Sequence, residues 1–205
     1  RAKQSTVIMG VDPSGSSDFA LGTRRARAAV LLMLGLPGSV YLYQGEELGL
    51  PNVDDLPDAV LQDPIFHRSG GRYRGRDGCR VPLPWSGTSA PFGFSPDGIT
   101  PWLPQPADWA QLTRDRQEAD PASMLQLYRN ALRLRRELDG FRGDALHWRE
   151  TLPNVLMFDR SGGIRVLVNL SEYPFDVAAY GEVLLSSLPL VAGQLPADAA
   201  AWLRV

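Results

Sequence analysis

A short run of β-branched and aromatic residues at 39–44 limits most strongly what this chain can fold into. Its nearly continuous apolar character is typical of a strand that is covered on both faces, as in a parallel sheet. Good helix formers precede it over 18–34, with Ser17 or Asp18 as the predicted N-cap, and a Gly-Leu-Pro turn ends that helix. A helix, a tight turn and a buried strand make up half of a repeating β/α unit.

The segment 51–106 is unusually long for a loop, and proline and glycine are scattered through it. Long loops in compact domains are mostly functional or disordered, and the aromatic residues within this one argue against disorder. We therefore predict an ordered loop with a functional role. Residues 12–17 consist mostly of serine, glycine and proline, which predicts a flexible loop.

Beyond residue 120 apolar residues recur first at helical spacing and then in short stretches. Asp120 is the predicted N-cap of the helix, Pro121 lies in its first turn, and Gly140 ends it. Turn residues separate the stretches that follow, which is typical of a small antiparallel sandwich. These stretches lie at 146–148, 155–158, 164–170, 182–186 and 200–205. We place a domain boundary near Gly140, between 1–140 and 141–205.

Two motifs carry a resemblance to a known family. Residues 41–49 read Tyr-Leu-Tyr-Gln-Gly-Glu-Glu-Leu-Gly, and residues 75–85 read Gly-Arg-Asp-Gly-Cys-Arg-Val-Pro-Leu-Pro-Trp. With the order of elements from Phe19 onward, they resemble the last barrel strand and the following active-site loop of α-glucosidases of glycoside hydrolase family 13, of the oligo-1,6-glucosidase type. Leu83 stands where methionine is commoner in the family's Arg-x-Pro-Met-x-Trp motif.

The resemblance implies an α/β plus all-β chain. It would form the C-terminal part of a (β/α)₈ TIM barrel, with an active-site loop at 50–109, followed by a small antiparallel β-sandwich. A complete barrel takes roughly 250 residues, more than the 205 present. The family's catalytic carboxylates lie on earlier barrel strands, and its Asn-His-Asp motif is absent from this sequence. We therefore expect part of a retaining α-glucosidase that is inactive on its own.

Arg80 is the residue that the sequence favours for substrate binding. A guanidinium is a planar fork of donors, useful only where its position is fixed, and the proline-rich segment up to Trp85 would fix it. Next to a carboxylate, it can also reach vicinal sugar hydroxyls. By resemblance, Arg80 lines the subsite for the non-reducing glucose and pairs with an acidic residue from an earlier part of the barrel. Arg76 and Asp77 are expected to shape the loop beneath it, mainly through an Arg-Asp contact.

Glu46 and Glu47 suggest paired catalytic carboxylates, because retaining glycosidases need two carboxyl groups roughly 5 to 5.5 Å apart. Adjacent residues on an extended strand point to opposite faces, however, so this pair would not flank one glycosidic bond. We expect both to buttress the active-site face without reacting.

The other candidate residues have structural interpretations. The acidic residues Asp54, Asp55, Asp58 and Asp63 lack the spacing of a calcium loop and are interpreted as a solvated loop. His67 and His147 are too isolated for a metal site, so neither a metal nor a cofactor is predicted. Arg72 and Arg74 are read as solvated surface residues. Trp85, Trp102 and Trp109 are interpreted as core aromatics, with sugar stacking as the alternative for each.

Composition excludes several classes of partner. A net charge of −2 provides no field that attracts nucleic acid, and the apolar run 26–43 is interrupted by arginine, glycine and proline, so no membrane span is expected. The single cysteine, Cys79, excludes an internal disulfide. With no recognisable leader, a cytoplasmic location is expected.

Two classes of function remain open. The first is part of a retaining α-glucosidase acting on maltose-, isomaltose- or sucrose-type substrates, with transglucosylation, as in sucrose isomerases and trehalose synthases, as a variant. The second is a non-catalytic carbohydrate-binding or interaction module. The expected partners are a small oligosaccharide or disaccharide and the missing N-terminal part of the barrel. Self-association is the alternative, because an incomplete barrel leaves strand 39–44 unpaired.

Overall fold

The computed structural model describes residues 18–96 and 98–205 and divides the chain into two compact units. Among these residues, the first unit comprises Tyr43–Gln126, and the second comprises 18–42 together with Leu127–Val205. The flexible loop predicted at 12–17 lies outside the described residues. These units follow packing within the chain, and the domain boundary near Gly140 stays a prediction. No helix in the described part of the chain has the length and apolar character that crossing a membrane requires.

Helix α1 of the second unit spans Phe19–Gly35, close to the predicted range. Asp18 is its N-cap, because its carboxylate accepts a hydrogen bond from the main-chain N–H of Leu21 at 2.9 Å. The helix packs on the C-terminal strands, and the indole N–H of Trp202 donates to the carbonyl of Leu31 at 2.9 Å. Trp202 is fully buried at this contact, so helix and strands share one core.

The C-terminal part forms antiparallel sheets, as the sequence predicts. Within the described residues the strands are β1 (Leu146–Trp148), β2 (Val155–Arg160), β3 (Ile164–Asn169), β4 (Phe175–Asp176), β5 (Glu182–Ser186), β6 (Gln194–Leu195) and β7 (Ala199–Arg204). Five of them form one sheet in the order β1-β2-β3-β7-β5, and β4 pairs with β6. Phe175 and Leu195 of the small sheet join the apolar core of the large one. The two-residue strands β4 and β6 were too short to be predicted.

Asp159 of β2 holds two arginines on one face of the large sheet. Its carboxylate accepts hydrogen bonds from Arg165 at 2.6 Å and from Arg149 at 2.7 Å. Arg165 lies directly opposite Asp159 on β3. The hydrogen bond from Arg165, followed by that from Arg149, lowers the pKa of Asp159 below its ordinary value of 3.8. The network therefore keeps this nearly buried carboxylate charged.

Helix α4 spans Met124–Glu137, and its predicted cap at Asp120 is wrong. The hydroxyl oxygen of Ser123 accepts from the main-chain N–H of Gln126 at 3.2 Å, which is the contact of an N-cap. The carboxylate of Asp120 accepts instead from Ala122 at 2.9 Å, within the turn before the helix. Pro121 therefore precedes the helix. Both residue types are good caps, and the sequence alone does not choose between them.

Two arginine side chains cover the C-terminal end of α1. Arg135 on α4 donates to three main-chain carbonyls between residues 34 and 38. Arg160 on β2 donates to the carbonyl of Gly35 at 2.6 Å and to three carbonyls between residues 141 and 145. The last carbonyls of a helix lack partners within the helix, and cations stabilise them. Burial lowers the pKa of both guanidinium groups.

The strand predicted at 39–44 is not formed. Residues 39–43 have no regular structure, and 44–49 form turns. Tyr41 is 87% exposed and Leu42 is 42% exposed, so the apolar residues that predicted a buried strand face solvent. A parallel strand needs hydrogen-bonded neighbours and covering layers. The described residues include no strand that pairs with this segment.

The first unit is held by a core under its long loop. Its helices are α2 (Pro64–Arg68) and α3 (Arg114–Ala119), with 3₁₀ turns at Asp58–Val60, Asp77–Cys79 and Ala107–Gln111. The core of this unit includes Leu50, Leu61, Val81, Phe92 and Trp109, each at most 4% exposed. The segment 51–106 is thus anchored by buried apolar side chains, as an ordered loop requires.

Candidate functional site

Arg80 directly follows the 3₁₀ turn Asp77–Cys79 in the first unit. Its Nη1 atom lies 3.3 Å from Oδ1 of Asp77 and 3.6 Å from Oδ2 of Asp63. The Arg80 side chain is 40% exposed, whereas those of Asp63 and Asp77 are 7% and 5% exposed. The guanidinium is therefore held on one side by two buried carboxylates of its own loop. The additional acidic partner that the sequence predicts from elsewhere stays a prediction.

Main-chain N–H groups fix both carboxylates. Oδ2 of Asp77 accepts from the N–H of Gln62 at 2.6 Å and from that of Asp63 at 2.7 Å. Asp63 accepts from the N–H of Ile65 at 3.1 Å through Oδ1 and from that of Arg76 at 2.9 Å through Oδ2. Asp77 thus ties the 3₁₀ turn Asp77–Cys79 to the two residues that precede α2. This connection spans 14 and 15 residues of sequence, and local patterns do not reveal it.

Asp63 is a buried N-cap and not part of a solvated loop, so that prediction is wrong for this residue. Its hydrogen bonds from the N–H groups of Ile65 and Arg76, aided by the charges of Arg80 and Arg76, hold its pKa below the ordinary value of 3.8. The sequence carried one signal for this role. Aspartate directly before a proline that opens a helix is a common N-cap pattern, and Pro64 opens α2.

Arg76 and Asp77 do not form the Arg-Asp contact with each other that the sequence suggests. Nε of Arg76 lies 3.6 Å from Oδ2 of Asp63, and the side chain of Arg76 is 76% exposed. Asp77 pairs with Arg80 instead. Arg76 and Arg80 thus both contact the buried carboxylate of Asp63, and these contacts stabilise the loop.

Gly75 allows the chain to pass close to Asp63. Its φ is +74°, and a Cβ at this position would lie 2.5 Å from the Asp63 side chain. Any larger residue would push the carboxylate away from Arg76 and Arg80. A glycine is therefore required both for the backbone conformation and for the space.

Glu46 and Glu47 lie in hydrogen-bonded turns and not on an extended strand. The main-chain N–H of Gly49 donates to the carbonyl of Glu46 at 2.9 Å. Oε2 of Glu47 accepts from the N–H of Gly45 at 2.8 Å, so this carboxylate stabilises its own turn. Because neither residue lies on an extended strand, the two side chains are not constrained to point to opposite faces. Their predicted role as a buttress stays a prediction.

Two of the three tryptophans read as core residues are not buried. Trp85 is 46% exposed, although its main chain is fixed by a hydrogen bond to the carbonyl of Phe92 at 2.8 Å. Trp102 is 63% exposed and donates its indole N–H to the carbonyl of Val60 at 3.0 Å. Only Trp109 is fully buried as expected. Trp85 thus offers a partly free ring face beside the arginine motif in sequence.

The other candidates behave as surface groups or are not clustered. Arg74 donates to Asp58 at 2.8 Å and to the carbonyl of Leu56, so it is paired and not merely solvated. In 18–96 and 98–205 no three histidine, cysteine, aspartate or glutamate side chains are grouped so that they could hold a metal ion.

Comparison with known protein families shows the family to which this chain belongs. The family described as "Alpha amylase, catalytic domain" matches residues 14–144, which is more than half of the chain. The chain therefore belongs to the α-amylase family, glycoside hydrolase family 13. The solved structures to which it is similar are TIM-barrel enzymes of this family.

Individual relatives are named as glucosidases and glucosyl transferring enzymes. A probable alpha-glucosidase of Rhizobium meliloti (strain 1021) is 38% identical over 152 residues, which cover 72% of this chain and 26% of the relative. An oligo-1,6-glucosidase of Heyndrickxia coagulans is 29% identical over 133 residues, which cover 57% and 23%. The crystal structure of the alpha-glucosyl transfer enzyme XgtA is 30% identical with a TM-score of 0.71, covering 97% of this chain and 38% of that one. The chain spans about a quarter of the length of these curated relatives.

Proposed function

We propose that this chain is the C-terminal part of a retaining α-glucosidase that hydrolyses short α-linked glucosides of the maltose, isomaltose or sucrose type. Family membership and the names of the relatives support this proposal. The observation that carries it is the state of Arg80, which is held on one side by two buried carboxylates and is open on the other. A cytoplasmic location is part of the proposal, in keeping with a single cysteine.

In this proposal Arg80 forms one wall of the glucose pocket. Its Nη1 is occupied by Asp77 and Asp63, whereas its Nε and Nη2 donate to no group among the described residues. Two adjacent free donors of a guanidinium fit the vicinal hydroxyls of a sugar ring. Trp85 provides an apolar ring face of the kind that packs against a sugar, while Arg76 and the turn at Glu46 and Glu47 shape the surroundings.

The reacting groups are proposed to lie outside residues 1–205. Retaining hydrolysis uses one carboxylate as nucleophile and another as acid and base, and it passes through a covalent glucosyl intermediate. Asp63 and Asp77 are buried and engaged with main-chain N–H groups, and Glu47 accepts from its own turn. None of these three carboxylates is therefore available for attack on a sugar.

Transglucosylation is the second candidate. The similarity to XgtA, an alpha-glucosyl transfer enzyme, extends over 97% of this chain at 30% identity. Transfer and hydrolysis share the glucosyl intermediate and differ in whether a sugar hydroxyl or water accepts the glucosyl group. Product analysis with concentrated maltose or sucrose distinguishes them, because transfer yields longer or isomeric sugars and hydrolysis yields glucose.

The proposal is tested with p-nitrophenyl α-glucoside. We expect no turnover by residues 1–205 alone, and turnover by the complete protein. In the complete protein, Arg80→Ala should lower kcat/KM at least about tenfold, because a charged hydrogen-bond donor to the substrate is lost. Arg68→Ala is the matched control, since Arg68 is exposed on α2 of the same unit, and it should leave kcat/KM unchanged. Activity of the isolated chain that disappears in Arg80→Ala would contradict the proposal.

A further inference from the structure

We infer that Asp63 and Asp77 are positioning residues, which hold the Arg80 guanidinium by one nitrogen and leave its other two nitrogens free for a neutral sugar. The inference rests on the proposed function, because contact between Arg80 and the substrate is part of that function. It goes beyond it by assigning the rigidity of the contact to two carboxylates that do not touch the sugar.

Arg80 is bound to the two carboxylates through only one of its three guanidinium nitrogens. Both carboxylates approach the same atom, Nη1, at 3.3 Å from Asp77 and 3.6 Å from Asp63. A bidentate pair would have used two nitrogens and left fewer donors for a ligand. Here the side chain keeps 40% of its surface exposed while one end is fixed. This is the arrangement expected of an arginine that presents donors outward.

The two carboxylates cannot follow Arg80 if it moves. Four main-chain N–H groups hold them, from Gln62 and Asp63 to Asp77, and from Ile65 and Arg76 to Asp63. A long arginine side chain loses rotamer freedom when it is immobilised by a ligand. Because the carboxylates restrict Arg80 before any ligand arrives, less of that loss remains to oppose binding.

Asp63 and Asp77 carry two negative charges, and Arg76 and Arg80 carry two positive charges within 3.6 Å of them. Among the described residues these four charges sum to zero, and the acidic residue predicted from an earlier part of the barrel would make the sum negative. The cluster therefore offers hydrogen-bond donors without a net positive field. Such a site suits an uncharged sugar better than a phosphorylated or carboxylated one.

The test is a double-mutant cycle of Asp77→Asn and Arg80→Ala in the complete protein, with kcat and KM for p-nitrophenyl α-glucoside. Asparagine keeps the size of the side chain and one acceptor for the N–H groups of Gln62 and Asp63, but it removes the charge that faces Arg80. In the parent, we expect Asp77→Asn to lower kcat/KM about tenfold, mainly through KM. In the Arg80→Ala background, the same change should cost less than about twofold.

A merely structural role of Asp77 would lower kcat/KM by the same factor in both backgrounds, and that result would overturn the inference. Crystal structures of the complete protein and its Asp77→Asn variant provide a readout that needs no activity. We expect one Arg80 rotamer in the parent and several in the variant, and an unchanged Arg80 would also overturn the inference. If Arg80→Ala leaves kcat/KM intact, the proposed function fails, and the two structures still decide whether the carboxylates position Arg80.

Discussion

Replacing Arg160 by methionine should destabilise the second unit strongly. Arg160 is only 3% exposed, and its guanidinium donates to the carbonyls of Gly35 at 2.6 Å and Ala145 at 2.8 Å, and to those of Gly143 and Phe141. Methionine fills most of the same volume but donates no hydrogen bond. The carbonyl oxygens at the end of α1 and in the loop before β1 would therefore lose their donor inside the protein.

The expected size of the effect follows from these contacts. The contact with Phe141 is long, at 3.5 Å, which leaves three effective hydrogen bonds. At about 1.5 to 3 kcal/mol for each bond from a charged donor, the loss of three bonds costs about 4 to 9 kcal/mol. Removing a buried charge returns several kcal/mol of desolvation, taken as about 3 kcal/mol. We expect a net loss of about 3 kcal/mol, which is large against the typical 5 to 15 kcal/mol of a whole domain.

The assay is urea denaturation of residues 1–205 at low protein concentration, followed by far-UV circular dichroism and tryptophan fluorescence. Trp202 reports on this region, because its ring centroid lies 4.5 Å from that of Phe141. Arg24→Met is the matched control, since Arg24 is exposed on α1, and it should change the free energy of unfolding by less than about 0.5 kcal/mol. A loss below about 1 kcal/mol for Arg160→Met would refute the reasoning, because the carbonyls would then not depend on this arginine.

Three further predictions follow from single side chains. Gly75→Ala should lower the free energy of unfolding by at least about 1 kcal/mol more than Gly87→Ala does. Both glycines have positive φ, but of the two only position 75 would bring a Cβ against a neighbour, the Asp63 side chain. Equal losses in denaturant titrations would contradict this. Asp159→Asn should cost about 1 to 3 kcal/mol at pH 7. Because the folded-state pKa of Asp159 lies below 3.8, the stabilisation is fully present above that pH and is lost as the pH falls through the folded-state pKa. Stability curves of parent and variant should therefore converge in acid, and a constant difference would argue against the ion pairs as the cause. Tyr41→Ser should reduce self-association of residues 1–205 in sedimentation velocity, because this ring is 87% exposed; an unchanged distribution of species would assign the association to another surface.

Elements whose stabilising contacts are local were predicted well from the sequence. Helix α1 has a capping aspartate at 18 and a Gly-Leu-Pro end, and all its signals lie within its own length. The larger strands β2, β3 and β7 were recognisable because turn residues separate their apolar runs. The segment 39–44 has an equally clear pattern, but no strand among residues 18–96 and 98–205 pairs with it, so the pattern indicated what the segment could join and not what it forms here.

The candidate site could be predicted only in part, because some of its contacts join residues that are distant in sequence. Arg80 was proposed for the site because of the motif that it shares with a family and the rigid prolines after it, and its role in substrate binding stays a prediction. Its partner Asp63 was missed, because its carboxylate accepts from the N–H of Arg76 and its own N–H donates to Asp77, 13 and 14 residues further along the chain. The Asp-Pro pair at the start of α2 signalled a cap, and nothing in that pair indicated that the second carboxylate oxygen would face two arginines.

The most direct test of the account is a crystal structure of the complete protein with a bound glucoside or a glucose-like competitive inhibitor. We predict that Nε or Nη2 of Arg80 lies within about 3.2 Å of a hydroxyl of the non-reducing glucose. Nη1 should at the same time keep its contacts with Asp63 and Asp77. A sugar bound in the active site with Arg80 turned to solvent and touching none of its hydroxyls would contradict the central claim.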